Sequence, residues 1–183
     1  MKSLVDYIKV FEDVSVDDWI LPTIQSLDPL FSIVENNIEI KNHGEYKFLK
    51  LEKYKNIPED IFENLYGSLQ MGLVQAVDEY YLQVDEFKYS CLSGSEPFVL
   101  TKYTKNDHVI RHSDYFPIRP RSLTMHLTFN NTFTGGEFSF FGGEYTIQPR
   151  KNQVIIFPAN FVFNYEILPV TSGERWAAEN WSN

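Results

Sequence analysis

Cysteine is almost absent. Cys91 is the only one, so no intramolecular disulfide can form. A lone thiol fits a reducing, cytoplasmic setting and reads most simply as a small buried apolar side chain. Long apolar runs are missing as well. No stretch approaches the roughly 18 continuous apolar residues of a membrane span, and the opening MKSLVDYIKV lacks the apolar core of a secretion signal. Positive charge is scarce: 16 Lys and Arg stand against 25 Asp and Glu, a net charge of −9. Such a surface repels phosphate backbones and counts against general nucleic-acid binding. No glycine-rich phosphate loop occurs, and Cys91 has no His near it in sequence to make a nucleophilic pair.

What is present is that of one ordinary domain with a substantial core: 183 residues, 43% hydrophobic and 22% charged. Aromatics reach 16%, with 15 Phe and 11 Tyr, which favours pleated sheet. Residues 5–12 read as a strand. Ser15-Val16-Asp17-Asp18 starts a short helix over 17–26, which Asp28-Pro29 ends. Residues 30–55 hold weakly patterned strands, with a turn at Asn42-His43-Gly44. Pro58 opens the longest helix, about 59–82, where Ile61, Phe62, Leu65, Leu69, Leu73, Val77 and Tyr80 form one apolar face. From about residue 87 the period changes to two. Strands are predicted at 98–104, 108–112, 122–130, 137–141, 144–148, 153–157, 161–167 and 174–181, with Gly142-Gly143 as a two-residue hairpin. The pattern predicts a mainly β (α+β) single domain over 1–183. In it a support layer, 1–86, backs a sandwich or jelly-roll core, 87–183.

Two residues in that core invite chemistry. On a strand, i and i+2 share a face, so His112 and Asp114 can share a divalent metal ion such as Fe(II), Mn(II) or Zn(II). Tyr103 precedes them. Phe133-Thr134-Gly135-Gly136-Glu137, Phe157-Pro158, Pro169-Val170-Thr171-Ser172-Gly173-Glu174-Arg175 and Trp181 follow in order. Together these motifs resemble the prolyl 4-hydroxylase-like branch of the Fe(II)/2-oxoglutarate dioxygenases, over about residues 98–183. The resemblance implies a double-stranded β-helix, or jelly roll, that uses Fe(II) and 2-oxoglutarate. It makes His112 and Asp114 two members of a 2-His-1-carboxylate triad, and Arg175 the clamp on the distal carboxylate of 2-oxoglutarate. Tyr103 and Thr124 would hydrogen-bond that carboxylate. The implied substrate is a protein side chain, such as prolyl, or a small molecule.

One position departs from the pattern. Where the family has its distal His, four residues before Pro169, this chain has Tyr165. A phenol, with an ordinary pKa of about 10, is a poor neutral ligand. Tyr165 ligates the metal in an unusual site, or His112 and Asp114 hold it with water, or the fold serves as a non-catalytic binding or structural module, such as a virion-associated protein. His126 and His108 are the imidazoles available for recruitment. Each residue also has a plainer role. His112 and Asp114 make a hydrogen-bonded strand-edge pair, Arg175 a salt bridge, Tyr165 a core ring. Gly135-Gly136 is a turn, Phe138, Phe140 and Phe141 fill strands, and Lys102, Arg119 and Arg121 make a solvated basic rim. The sequence leaves substrate, source and oligomeric state, homo or hetero, open.

Overall fold

The structure is a computed structural model and describes residues 2–33, 44–52, 57–89, 92, 94–115, 117–118 and 120–183. Asn42, His43, Cys91 and Arg119 lie outside the described residues. In chain order the strands are β1 (Lys9–Phe11), β2 (Ser32–Ile33), β3 (Gly44–Glu45), β4 (Lys47–Lys50), β5 (Val99–Tyr103), β6 (His108–His112) and β7 (Leu123–Thr128). They continue with β8 (Phe133–Gly135), β9 (Phe138–Phe140), β10 (Tyr145–Ile147), β11 (Gln153–Pro158), β12 (Tyr165–Ile167), β13 (Val170–Gly173) and β14 (Arg175–Ser182). The α-helices are α1 (Ile20–Ser26) and α2 (Glu59–Gln83), with short 3-10 turns at Leu4–Tyr7, Asp28–Leu30 and Asp85–Tyr89.

These strands form a jelly roll. A seven-stranded sheet in the order β1-β11-β7-β14-β5-β4-β2 faces a five-stranded sheet in the order β10-β9-β12-β6-β3, and β13 pairs with β8. The N-terminal part is thus more than a cover, since β1 to β4 join both sheets. Period-two alternation divides the large sheet between two cores. Leu100, Leu123, Met125, Leu127, Val154, Ile156, Trp176 and Ala178 face α2, which returns Leu65, Leu69, Leu73, Ala76 and Tyr80. Val99, Tyr103, Ile155, Phe157 and Trp181 face the other way, onto Phe138, Phe140, Tyr165 and Ile167 of the small sheet. β14 follows the same rule: Trp176 and Ala178 lie toward the helix, while Arg175, Glu179 and Trp181 turn into the barrel.

Several local expectations need correction. Residues 5–12 are not one strand: the Asp6 carboxylate accepts from the Ser3 N–H at 2.6 Å, which tightens 4–7 into a 3-10 turn and confines the strand to Lys9–Phe11. Helix α1 starts at Ile20 rather than 17, because the Asp17 carbonyl takes the Ile20 N–H at 3.1 Å in a preceding turn. Residues 161–164 form a turn. There Asn160 Oδ1 accepts from the Val162 N–H (3.0 Å) and Asn164 Nδ2 donates to the Phe161 carbonyl (2.7 Å). Phe140 pairs with Tyr145, so the hairpin loop is 141–144, with Phe141, Gly142 and Gly143 all at positive φ. β8 and β13 were not predicted at all.

Candidate functional site

The antiparallel register places His112, the last residue of β6, directly opposite Tyr165, the first of β12. Their ring centroids are 4.6 Å apart. Asp114 follows just past the strand and is buried. The His112 Nδ1 lies 2.9 Å from the Ile110 carbonyl. A carbonyl only accepts, so Nδ1 carries a proton, and Nε2 donates to Asp114 when the ring is charged and is the lone-pair nitrogen when it is neutral. Nε2 stands 3.4 Å from Asp114 Oδ1. The other carboxylate oxygen, Oδ2, accepts from the Thr124 hydroxyl at 2.7 Å and from the Tyr165 hydroxyl at 3.1 Å. Burial pushes the Asp114 carboxyl up, but its hydrogen bond and attraction to His112, with the Thr124 bond, outweigh this and hold it below the usual range. Burial pushes His112 down, and the Asp114 bond reverses that, so the imidazole ends above its ordinary value.

Behind this pair lies a chain of buried polar groups. His126 Nε2 is 3.2 Å from the Tyr165 hydroxyl. Tyr165 has one proton and gives it to Asp114, so His126 donates to the phenol oxygen and turns its lone-pair Nδ1 toward Glu179. That Nδ1 is 3.6 Å from Glu179 Oε1. Burial, then the nearby Arg175 charge, pushes His126 down to about 3, so it is neutral. Burial and then the Asp114 charge drive the Tyr165 phenol well above its ordinary value, so it too is neutral. Glu179 Oε1 also accepts from the Tyr103 hydroxyl at 3.1 Å. Burial, then repulsion by Asp114, pushes Glu179 up to about 7.

Arg175 opens β14 across the ladder from Tyr103. It is 0% exposed, and its Nε, Nη1 and Nη2 have no hydrogen-bond partner among the described residues. Its guanidinium sits 5.2 Å from the Tyr103 ring centroid and 4.9 Å from that of Phe138. Gly136 lies beside its stem, since a Cβ there would make an ordinary contact, at 3.5 Å, with Arg175 Cδ. A buried cation without a partner costs several kcal/mol. Three nitrogens with five N–H donors between them, held by ring faces and bonded to nothing among the described residues, describe a seat for a carboxylate.

The six residues singled out by sequence all lie inside the barrel, but two make other bonds than expected. Thr124 serves Asp114 and Tyr103 serves Glu179, because those internal carboxylates lie within reach of their hydroxyls. His126 shares the Thr124 side of β7 and joins the network, whereas His108, at the far end of β6, bonds locally to the Asn106 carbonyl. The basic rim breaks up. Lys102 points toward the helical layer, paired with Asp28 (2.9 Å) and Glu174 (3.2 Å), because its parity on β5 is that of Leu100. Arg121 is half-buried and grips Glu96 at 2.7 and 2.8 Å while lying 4.0 Å over the Trp181 ring. Glu179 was missed. Its signal was parity, since it stands four residues after Arg175 on the same strand face.

Two groups can be tested against these donors. The unsatisfied Arg175 guanidinium fits an oxo-dicarboxylate such as 2-oxoglutarate. His112 Nε2 and Asp114 Oδ1 converge and fit a divalent ion as a two-point site. The neutral Tyr165 phenol points at Asp114 Oδ2 and adds no third donor. Among the described residues no three His, Cys, Asp or Glu side chains are grouped to hold a metal. The set therefore fits a loosely held ion and does not complete a three-ligand triad.

A jelly roll carrying a His-x-Asp pair and a buried arginine between its sheets defines the class of 2-oxo-acid-dependent oxygenase folds. The family model of the 2OG-Fe(II) oxygenase superfamily matches residues 98–183, the jelly-roll core. Among solved structures the chain is similar to a Pseudomonas putida prolyl-4-hydroxylase: 14% identity, 97% of this chain and 92% of that one, TM-score 0.69. It is similar to a Trichoplax adhaerens prolyl hydroxylase in complex with a peptide fragment of the hypoxia inducible factor oxygen degradation domain (16% identity, 97% and 83% covered, TM-score 0.71). It is also similar to the viral collagen prolyl hydroxylase of Paramecium Bursaria Chlorella virus-1 in its 2OG complex (14% identity, 96% and 95% covered, TM-score 0.66). At these identities the likeness is one of fold. No curated protein matches the chain in sequence.

Proposed function

We propose that the chain binds a 2-oxo acid of the 2-oxoglutarate type through Arg175 and acts as an oxygenase on a C–H bond of a protein side chain, such as prolyl, or of a small molecule. The observation that carries this is the fully buried Arg175 guanidinium with none of its three nitrogens bonded. Arg175 would take the distal carboxylate, and the Tyr103 and Phe138 rings would fix its plane. His112 Nε2 and Asp114 Oδ1 would hold Fe(II), with Thr124 and Tyr165 orienting the carboxylate through Oδ2. Bound Fe(II) and 2-oxoglutarate would together activate O2, one oxygen atom going to the cosubstrate, which becomes succinate and CO2, and the other to the substrate C–H bond. The lone cysteine accords with action in a reducing compartment.

A second reading has its own support. Tyr165 stands where the family's distal His would be and ties up Asp114, which favours a descendant of the fold that binds without catalysing. Anaerobic titration with Fe(II) and 2-oxoglutarate, followed by a succinate-release assay, separates the two. A visible charge-transfer band and turnover by the unaltered chain support the oxygenase. Iron affinity and turnover that appear only in Tyr165→His support the non-catalytic descendant.

A further inference from the structure

Glu179 shares the barrel interior with Arg175. Arg175 and Glu179 project from the same face of β14, four residues apart, into the same interior. On one side, Glu179 Oε1 accepts from the hydroxyl of Tyr103, whose ring carries the Arg175 guanidinium at 5.2 Å. On the other side, the same oxygen is 3.6 Å from His126 Nδ1, and His126 leads through Tyr165 to Asp114. The carboxylate thus stands between the arginine and the His112–Asp114 pair. A linear dicarboxylate that reached both would run alongside it. It would also find the Tyr103 hydroxyl already taken.

We propose that Glu179 is the specificity-determining residue of this site: a built-in carboxylate that holds Tyr103 and opposes the second charge of a 2-oxo dicarboxylate, so that Arg175, as a lone clamp, retains 2-oxoglutarate only weakly. The inference rests on the reading of Arg175 as a carboxylate clamp and deepens it. In a water-poor interior, like charges repel strongly at short range. An incoming dianion meets one anion for the single cation that welcomes it. Among the described groups around Glu179, Arg175 is the cation without a hydrogen-bond partner. Tyr103 and Tyr165 are neutral phenols, His126 is a neutral imidazole, and the His112 ring sits against Asp114.

Replacing Glu179 by Gln tests this with little change of shape, since the amide oxygen can still accept from Tyr103. The measurement is the affinity of 2-oxoglutarate for the metal-free protein by ligand-observed NMR, on proteins shown to be folded and at a pH well above 7, where Glu179 is ionised. Glu179→Gln is expected to bind at least tenfold more tightly than the unaltered chain, and the gain should vanish when Arg175→Met is added. A merely structural role for Glu179 would not produce a gain that depends on Arg175. Glu179→Ala carries the same comparison should the Gln variant not fold. If the unaltered chain binds 2-oxoglutarate and the variant binds it no better, Glu179 is not a specificity residue and the Arg175 clamp stands. If none of these proteins binds 2-oxoglutarate, the clamp reading falls and this inference with it.

Discussion

Arg175 and Glu179 are a cation and an acid on one strand face, neither in an ion pair with the other. For the unliganded protein this is costly, and the cost is measurable. Replacing an unpaired buried charge with an apolar side chain of similar size removes a desolvation penalty of several kcal/mol. Arg175→Met is therefore expected to raise the free energy of urea unfolding while abolishing any stabilisation by added 2-oxoglutarate. A destabilised variant that keeps the ligand effect would contradict the role assigned to Arg175. Glu179 gives a pH signature. Its pKa is about 7 in the folded chain, against about 4.3 for an ordinary Glu. Between these values the folded state holds a proton that the unfolded state has lost. Its contribution to stability is therefore full below about pH 4 and falls as pH rises to about 7. The advantage of Glu179→Gln over the unaltered chain should grow across that window by up to about 3 kcal/mol and then level off. His126 acts in the opposite sense, since a pKa of about 3 makes the folded state lose stability as pH drops below about 6.5. It is common to both proteins and largely cancels in the difference. A pH-independent difference would mean that Glu179 does not titrate as described. At this scale His112, Asp114 and Arg175 were legible because ordered motifs and strand parity single them out. The partners of Thr124 and Tyr103 were not, since they depend on which acids the opposing strands bring near.

Among the elements, long periodic segments were the most legible. Helix α2 runs from Glu59 to Gln83, and its predicted face is the one that packs on the large sheet. The strands bearing His112, Thr124 and Arg175 fall within a residue or two of expectation, and the last two are buried along their whole length. The β8–β13 ribbon was missed for a physical reason: its sequences, Phe-Thr-Gly and Val-Thr-Ser-Gly, have the composition of turns, and only their mutual pairing makes them strands. That ribbon supports the arginine seat. Gly135 has φ +78°, and a Cβ there would collide with the Pro169 carbonyl, while the neighbouring Gly136 rests on the Arg175 stem. Gly135→Ala should therefore cost about 1–3 kcal/mol for the backbone conformation alone, more with the collision, read as a lower denaturation midpoint. An unchanged midpoint would show that this turn bears no strain.

For the molecule as a whole, the jelly roll with helical support was legible from the change of period near residue 87. The strands that the N-terminal part lends to both sheets were not, because β1 to β4 are two to four residues long and draw their stability from neighbours rather than from their own pattern. Among the described residues, no helix is long and apolar enough to cross a membrane. The fold brings residues from five strands, Tyr103, His126, Phe138, Tyr165 and Arg175, around one interior. The account depends on what that interior receives. A crystal of the protein soaked in concentrated 2-oxoglutarate is the most direct measurement. The expected result is ligand density with a carboxylate within about 3 Å of at least one Arg175 nitrogen. Density for the ligand elsewhere, with Arg175 still unbonded between the Tyr103 and Phe138 rings, would contradict it.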